Sequence, residues 1–527
     1  MAEAVFRHAS EDLLRLHIPG HKGRALSASA QRLVEQAFAH DLTELPGLDD
    51  LFAASGPIEE AQRLAAGVFG SDQAFFLAGG ASAGIIASLW AALSPGSVLA
   101  LARSSHRSAV SALLVSGATP AWVRGSFRPS LYLPMPVGAN ELLTGASRSN
   151  TDCLLVTSPT YEGLYAEPAG QQTLIQALVD APVQPQAQAP VRATAEEQRS
   201  GSRPALIVDE AHGAHMYFLD TVRMDTARGT AQAATRGAAT LALEQDIDAC
   251  VHGAHKTLGS LTGTGLLHLK GKRLDAGRVG QVLLTVQTSS PSYLMMASLD
   301  LARRDMVLNG QARLMTAISE VEAAKRGLEC SGIEFLQPET PADPTRLVVG
   351  SAQFGMTGAG LYSRLRDEGV QAEYAGLLYV VFVFSAGDSP GSGRRLVEAL
   401  ERIQRGSGTG SLRAVAGSQA ATAGGPETDV ARAIDAAKSL AGMDLPVQAL
   451  APREAWMARF REAPLAASVG RVVAESIFIY PPGTALLVAG EIVPAWLPGM
   501  VRDLALLEAH FQGPADRSMA TLRVVEG

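Results

Sequence analysis

Short apolar runs alternate with helical patterns from about residue 60 onward. Leu154–Val156 and Leu206–Val208 are uninterrupted apolar runs, as in strands that are buried on both faces. Segments with the pattern of helices, such as 59–69 and 171–179, lie between such runs. This alternation predicts an α/β fold with a mainly parallel sheet, whose ligands bind near the carboxyl ends of the strands. Asp209 directly follows the second run, so we expect its side chain to face that crevice.

The long uncharged stretch from Ala74 to Ala102 is interpreted as a strand end, a glycine loop and a buried helix. Several Gly and Ser residues and Pro95 interrupt it, so it lacks the continuous apolar length of a membrane-spanning helix. Its loop, Leu77–Gly84, precedes a helix that we expect to begin near Ile85. Backbone N–H groups at such a start bind anions, and glycine permits close approach of a phosphate. The alternative is an ordinary tight turn between strand and helix.

The length indicates several domains, because 527 residues are too many for one compact core. Residues 181–204, rich in Pro, Gln, Ala and Ser, are predicted to form a surface insertion, and the low-complexity stretch 406–426 predicts a linker. Apolar runs at Leu347–Val349 and Leu377–Phe384 predict strands of a smaller α+β domain. The predicted division is a large domain over 1–310, a small α+β domain over 311–405, a linker over 406–429 and a C-terminal domain over 430–527.

Composition narrows the class of protein. Hydrophobic residues make up 47% and charged residues 18%, which is typical of a well-buried globular enzyme. The net charge is −8 and the chain has no block of Lys and Arg, so nucleic acid and membranes are not expected partners. Three widely spaced cysteines and an N-terminus without an apolar signal-peptide core predict a reducing, cytoplasmic location.

Lys256 and Asp209 together indicate pyridoxal phosphate (PLP) chemistry. Lys256 lies among Gly, Ala, Ser, Thr and Leu, with only His as a charged or titratable neighbour nearby. A buried lysine loses its proton more readily, as imine formation with the cofactor aldehyde requires. An Asp at the end of an apolar strand can keep the pyridine nitrogen protonated, so that the ring accepts electrons. The alternatives are a solvated surface lysine and an Asp that binds magnesium or caps a helix, although no GxxxxGK[ST] loop accompanies Asp209.

Histidines surround both motifs. The sequence His-Gly-Ala-His occurs at 212–215 and again at 252–255, which raises the alternative of a metal site. Neither copy has the HExxH pattern and the cysteines lack CxxC spacing, so we expect no metal. His106 is interpreted either as a structural loop histidine or as a flat ring that stacks on an aromatic cofactor.

In this order the motifs resemble those of the Orn/Lys/Arg decarboxylases, a branch of the aspartate-aminotransferase-like (fold type I) PLP enzymes, over nearly the whole chain. The segments that carry the resemblance are HIPGHKG at 17–23, DLTELPGLDDL at 41–51, SSHRS at 104–108, SPTY at 158–161, DEAHGAH at 209–215, HKTL at 255–258, QTSSPSY at 287–293 and YPPG at 480–483. The resemblance implies an α/β large domain with a small α+β domain and a C-terminal domain. The HIPG segment begins at His17, close to the start of the sequence. We therefore expect the short form without an N-terminal wing domain, and a dimer or small oligomer.

The resemblance also implies the site residues. Lys256 would carry the cofactor, with Asp209 as partner of the pyridine nitrogen. The other implied cofactor contacts are His106 on one ring face, Ala211 and His212 on the other, Gly80, Ala81, Ser82 and His255 at the phosphate, and Ser289 at the phosphate of a neighbouring subunit. Ser289 would make the active site a property of a homodimer. Glu373 would bind the distal cationic group of the substrate, and its alternative is an exposed loop carboxylate.

Four positions depart from the family pattern, three of them by the loss of a hydroxyl. Ala81, Gly253 and Ala254 stand where hydroxyl side chains are usual, and each hydrogen bond to a charged group contributes about 1.5–3 kcal/mol. We therefore expect weaker cofactor binding. Glu162 follows Tyr161 where a second aromatic residue is common, and its added charge is predicted to alter substrate choice.

The predicted reaction is decarboxylation of arginine, lysine or ornithine to agmatine, cadaverine or putrescine. CO2 leaves when the Cα–carboxylate bond stands perpendicular to the cofactor ring, because only that bond then overlaps with the ring electrons. Two alternatives stay open: another PLP reaction, such as an aminotransferase or a different lyase, and a non-catalytic relative of the decarboxylases.

Overall fold

The computed structural model describes residues 10–128, 131–137, 141–142, 151–165, 204–219, 241–339, 341–406, 426–480 and 483–526. The predicted helix over 171–179 lies outside the described residues. So do nearly all of the predicted insertion over 181–204 and most of the predicted linker over 406–429.

A seven-stranded sheet forms the centre of the large unit. Its strands in spatial order are Gln73–Leu77, Gly265–Leu269, Ala249–His252, Ala205–Asp209, Cys153–Thr157, Val98–Ala102 and Thr119–Val123. All neighbours are parallel except the two pairs made by Gly265–Leu269. The predicted mainly parallel α/β sheet is therefore confirmed.

The central strands lack polar alternation because both of their faces are covered. Leu206 and Val208 belong to one hydrophobic core, whereas Ile207 belongs to the core on the opposite face. The helices of this unit are Ala28–Glu35, Ala37–His40, Pro57–Phe69, Gly80–Ala92, Arg107–Ser116, Ala254–Thr257, Ala276–Val286 and Tyr293–Cys330, with 3₁₀ turns at Ala214–Phe218 and Ala242–Glu244. A two-stranded ribbon pairs Phe127–Arg128 with Leu133–Pro134.

The helix expected near Ile85 begins at Gly80, more than one turn earlier. The small residues of this first turn allow close packing on the sheet. A side chain at Gly84 would approach Leu77 to 2.7 Å and Val251 to 2.9 Å. The glycine-rich segment is therefore the start of the helix and not a loop before it.

A second, smaller sheet lies beside the first. It has the order Arg346–Gly350, Tyr379–Val383, Tyr374–Ala375, all antiparallel, so the strands predicted over 347–349 and 377–384 are confirmed. Helices Gly358–Asp367 and Ser392–Gly406 and the 3₁₀ turn Ala352–Phe354 accompany it. The strand Leu14–Leu16 pairs in parallel with Val370–Ala372, so this N-terminal strand joins the smaller unit. The boundary predicted at 310 lies within the long helix Tyr293–Cys330, and the domain division stays a prediction.

The C-terminal part forms a third hydrophobic core around residues such as Val473, Ile477 and Leu504. Its helices are Pro426–Gly442, Pro452–Met457 and Leu497–Leu506, with a 3₁₀ turn at Leu465–Ser468. Its strands are Phe460–Pro464 paired with Thr521–Val525, and Ile477–Tyr480 between Thr484–Leu487 and His510–Gln512. Among the described residues, no helix has the length and apolar character needed to cross a membrane.

A buried ion pair attaches this C-terminal part to the seven-stranded sheet. Arg103 follows the strand Val98–Ala102, and its two Nη atoms lie 2.5 and 2.9 Å from the carboxylate oxygens of Glu491. Arg103 also donates to the carbonyls of Ala485 and Leu486 and lies 4.7 Å from the Trp122 ring centroid. This contact places the C-terminal part beside the segment that carries His106.

Replacement of Glu491 by Ala should destabilise the protein by about 3–5 kcal/mol, because it leaves the Arg103 cation buried without its partner. Denaturant unfolding of the purified variant measures this. The matched control is Glu60→Ala, which breaks an exposed Arg63–Glu60 pair (side chains 67% and 54% exposed) and should change little. If both variants lost the same free energy of unfolding, the buried pair would not contribute more than the exposed one.

Candidate active site

Lys256 lies at the centre of the site, in the short helix that follows the strand Ala249–His252. Its Nζ is 2.8 Å from His212 Nε2 and 5.8 Å from the centroid of the Tyr161 ring. Burial of the amine lowers the pKa of Lys256 to about 8, although the carboxylates of Asp209 and Glu373 act in the opposite direction. The amine thus loses its proton far more easily than an exposed lysine.

Asp209 ends the neighbouring strand and is itself buried. Burial raises the pKa of its carboxyl group, and the charge of Lys256 opposes that rise. Its Oδ1 accepts a hydrogen bond of 3.2 Å from the backbone N–H of buried Ala211. Because the two strands are adjacent and parallel, the sheet brings the sequence-predicted pair Lys256 and Asp209 to one edge.

Two histidines beside Lys256 are neutral. Burial and the nearby Lys256 charge lower the pKa of His106 to about 4, and they lower that of His212 well below its usual range. His106 also caps the helix Arg107–Ser116, because its Nδ1 accepts from the backbone N–H of Ser108 at 3.2 Å. The His212 ring lies 4.3 Å from the Tyr161 ring, centroid to centroid. Both rings are therefore uncharged flat surfaces, as contact with an aromatic cofactor requires.

The predicted phosphate loop forms the first turn of the helix Gly80–Ala92. Gly80 has a φ of 66°, and Ser82 is exposed. A second glycine-rich segment packs under this turn, since a Cβ at Gly265 would lie 3.0 Å from the backbone nitrogen of Ala81. His255 contacts the same segment through a hydrogen bond, since its Nδ1 lies 2.8 Å from the Thr264 carbonyl oxygen. The sequence alone did not assign this supporting role to the segment 259–265.

The departures at 253 and 254 have a packing cause. A Cβ at Gly253 would lie 2.8 Å from the Ala211 carbonyl oxygen and 2.9 Å from Lys256 Cδ, so the backbone leaves no room for a side chain. Ala254 is fully buried. At Gly253 the close approach of the Ala211 carbonyl and the Lys256 side chain thus excludes the usual hydroxyl.

Other buried hydroxyls stand near the carboxyl ends of the strands, and the sequence-based assignment missed them. Those without a hydrogen-bond partner within the described part of the chain are Ser105 Oγ, Thr157 Oγ1, Ser158 Oγ and Thr257 Oγ1, together with the ring nitrogen His212 Nδ1. Buried polar atoms without partners are costly unless a ligand or water satisfies them. For Thr157 the signal in the sequence was its place directly after the apolar run Leu154–Val156.

Glu373 lies in the same site and is not a freely exposed loop carboxylate. Its Oε1 accepts a hydrogen bond from the Tyr161 hydroxyl, and its Oε2 accepts one of 2.6 Å from the backbone N–H of Ile18. Within the described ranges, no Lys, Arg or His forms an ion pair with it. Its negative charge is held in position by neutral donors.

The N-terminal HIPGHKG segment supplies one of those donors and is itself fixed by Lys22. The buried Lys22 Nζ donates to the carbonyls of His17 (2.8 Å) and Val383 (2.7 Å) and lies 3.8 Å from Asp388. The charge of Lys22 thus serves to attach the HIPGHKG segment to the smaller sheet. Sequence reasoning used this segment only as a family marker.

The repeated His-Gly-Ala-His motif separates into four different environments. His212 lies beside the Lys256 amine, and His255 lies beside the Thr264 carbonyl. The third histidine, His215, lies 3.1 Å from Asp343. His252 Nε2 lies 3.0 Å from Glu210 in a buried group that includes Cys250 and the Tyr217 hydroxyl. The expectation that the chain binds no metal stays a prediction.

Ser289 occupies an exposed turn between the helices Ala276–Val286 and Tyr293–Cys330. The expectation for Ser289 concerns a neighbouring subunit, so a single chain does not test it.

The sheet topology and the Lys256–Asp209 pair define a PLP enzyme of fold type I. The residues present fit that cofactor: a buried amine of low pKa, a buried carboxyl group on the adjacent strand, neutral imidazole rings and unpartnered buried hydroxyls surround one edge of the sheet.

Comparison with known proteins identifies the family. A model of the Orn/Lys/Arg decarboxylase major domain matches residues 1–184 and 193–392. Arginine decarboxylase from Bacillus subtilis is 28% identical, and that from Halalkalibacterium halodurans 29%, each over 99% of this chain and 96% of the relative. The structure of lysine decarboxylase A from Pseudomonas aeruginosa superposes with a TM-score of 0.72 at 18% identity, covering 100% of this chain and 82% of that one. The chain belongs to the Orn/Lys/Arg decarboxylase family and is a PLP-dependent amino-acid decarboxylase.

Reductive methylation of Lys256 in cofactor-free protein should rise with pH and reach half its limiting rate at about pH 8, because only the neutral amine reacts. In Asp209→Asn the midpoint should move to lower pH, since the Asp209 carboxylate raises the pKa of Lys256. Mass spectrometry of the Lys256 peptide measures the rate of methylation. The methylation rate of exposed Lys438 in the same sample corrects for changes in reagent reactivity with pH. A midpoint near the ordinary lysine value of 10.5 would contradict the buried amine.

Proposed function

We propose that L-arginine is the substrate and that Lys256, Asp209 and Glu373 have the principal roles in its decarboxylation. The observation that carries this proposal is the carboxylate of Glu373, which lies near the Lys256 amine without a cationic partner within the described residues. Such a carboxylate suits a guanidinium or ammonium group at the far end of a substrate. Arginine comes first because four relatives that are 27–29% identical are named arginine decarboxylases.

Bound PLP supplies an electron-accepting ring that stabilises the charge left on Cα when CO2 departs. In our proposal Asp209 keeps the proton on the ring nitrogen, because a buried carboxylate beside that nitrogen favours its charged form. His106 and His212 would lie on the two faces of the ring as neutral groups, with Ala211 beside His212.

Lys256 has two proposed tasks. Its amine holds the cofactor in the absence of substrate, and it then carries the proton that is returned to Cα. The pKa of about 8 suits both, since the amine is part neutral and part protonated near neutral pH. His212 Nε2, 2.8 Å from Nζ, is placed to orient the amine between these tasks.

The phosphate of the cofactor is assigned to the first turn of the helix Gly80–Ala92, with His255 beside it. The backbone N–H groups of Gly80 and Ala81 and the exposed Ser82 hydroxyl are the donors, and the helix start adds a favourable dipole. Ala81 contributes no hydroxyl, so this site depends on backbone donors more than the family pattern does.

We also propose that the enzyme is a homodimer, with Ser289 completing the phosphate site of the partner. Large apolar side chains that are exposed on the single chain support this: Phe38 (99%), Leu308 (63%), Leu284 (56%) and Val307 (53%). Three of them lie on the helices that flank Ser289. Burial of such side chains stabilises a subunit interface.

Lys256→Ala should abolish CO2 release, because it removes the amine that is proposed to hold the cofactor. The first measurement is the visible absorption of the PLP-loaded wild-type protein while arginine, lysine and ornithine are added separately, followed by CO2 assay. A band shift with arginine and CO2 release supports the proposal. Formation of a keto acid, or substantial CO2 release by Lys256→Ala, would contradict it.

Leu308→Glu should shift the protein from dimer to monomer, because it places a charge among the exposed apolar side chains. Sedimentation velocity of the wild type and the variant measures this. Leu506→Glu is the matched control: Leu506 is also exposed (55%) but lies in the C-terminal part. A monomeric wild type with full activity would exclude a shared active site.

A further inference from the structure

Two adjacent residues of the large unit form matched contacts with two adjacent residues of the smaller sheet. Tyr161 and Glu162 follow the strand Cys153–Thr157, whereas Glu373 and Tyr374 lie at the start of Tyr374–Ala375. The Tyr161 hydroxyl donates to Glu373, and the Tyr374 hydroxyl donates to Glu162. We call these two contacts the reciprocal Tyr–Glu pairs.

The rings reinforce the pairs. Tyr161 and Tyr374 meet edge to face, with centroids 4.8 Å apart and an interplanar angle of 87°. A third tyrosine, Tyr379, begins the strand Tyr379–Val383. Its hydroxyl donates a hydrogen bond of 3.1 Å to the same Glu162 oxygen. Glu162 therefore holds two tyrosines of the smaller sheet from a position on the large unit.

Glu162 is a buried residue whose hydrogen-bond partners are tyrosines of the smaller sheet. It is 6% exposed, and the two tyrosine hydroxyls that it accepts are on Tyr374 and Tyr379, which are also buried. The charge of Glu162 makes both hydrogen bonds stronger than bonds between neutral groups. An uncharged residue at 162 would leave the Tyr374 hydroxyl buried with a weaker acceptor or none.

The backbone between the units is equally tight at this place. The Gly163 carbonyl accepts from the N–H of Asp343 at 2.8 Å, and a Cβ at Gly163 would lie 2.5 Å from Arg346 Cγ. Gly163 has a φ of 86°, which favours glycine. The loop that carries Tyr161 and Glu162 is thus fixed against the smaller sheet on both sides of Glu162.

We propose that Glu162 is a positioning residue for substrate selection: through Tyr374 it fixes the backbone that carries Glu373, so that the Glu373 carboxylate meets the distal cation of the substrate. This inference rests on the proposed role of Glu373. Glu162 then affects substrate choice indirectly, because the reciprocal Tyr–Glu pairs determine the position of Glu373. A small displacement of a charge-recognising group weakens selection strongly, because hydrogen bonds to charged groups depend on geometry.

The test compares kcat/KM for the best basic substrate and its uncharged analogue: arginine with citrulline, or lysine with norleucine. In Glu162→Gln the ratio of the two values should fall by about tenfold, mainly through a higher KM for the basic substrate, since one charged hydrogen bond is weakened. Tyr374→Phe should have a similar effect. The double variant should lose little more than Tyr374→Phe alone, because both substitutions act on the same Tyr374–Glu162 hydrogen bond. A ratio measured on one preparation is independent of the fraction of folded enzyme.

Tyr217→Phe is the matched control, because it removes another buried Tyr–Glu hydrogen bond, from Tyr217 to Glu210 at 2.8 Å. It should leave the ratio unchanged. A Glu162→Gln enzyme that retains its PLP absorption band and the wild-type ratio would overturn the positioning role. If Glu373→Gln also keeps the wild-type ratio, the proposed role of Glu373 fails instead, which separates the two conclusions.

Discussion

The amine of Lys256 lies where water solvates its charge poorly, and the rest of the site depends on that constraint. Burial lowers its pKa to about 8, and the nearby carboxylates of Asp209 and Glu373 prevent a larger fall. Without the burial, the amine would stay protonated and unreactive at neutral pH. Without the carboxylates, the pKa would fall further and the protonated form of the amine would be rarer. The neutral state of His106 and His212 follows from the same environment, since both are buried and close to the Lys256 charge.

Three separate parts of the chain meet around this amine. The parallel strands supply Asp209 and Lys256, the smaller sheet supplies Glu373, and the N-terminal segment is attached to that sheet by the buried cation of Lys22. The buried Arg103–Glu491 pair adds the C-terminal part beside His106. Each attachment buries a charge with its hydrogen-bond partners, which is costly to break and therefore specifies one arrangement of the units.

The departures from the family pattern acquire a physical meaning in the structure. Gly253 is required by the close approach of the Ala211 carbonyl and the Lys256 side chain, which leaves no room for the usual hydroxyl. Glu162, which adds a charge where a second aromatic residue is common, accepts hydrogen bonds from two tyrosines of the smaller sheet. Comparison with the family pattern identified these residues as unusual, and only their contacts in the folded structure explain why they are present.

The sequence alone determined the class of fold, the cofactor and the family. Continuous apolar runs such as Leu206–Val208 predicted buried parallel strands because burial on both faces removes polar alternation, and Lys256 with Asp209 predicted PLP because few chemistries need that pair. The sequence misplaced the start of the helix at Gly80, since small residues resemble a loop until the sheet they pack against is known. The contacts of Tyr161 and Glu162 with Glu373 and Tyr374 span more than 200 residues of sequence and join two sheets. Tertiary structure alone decided them, because no local periodicity encodes which distant side chains share a hydrogen bond.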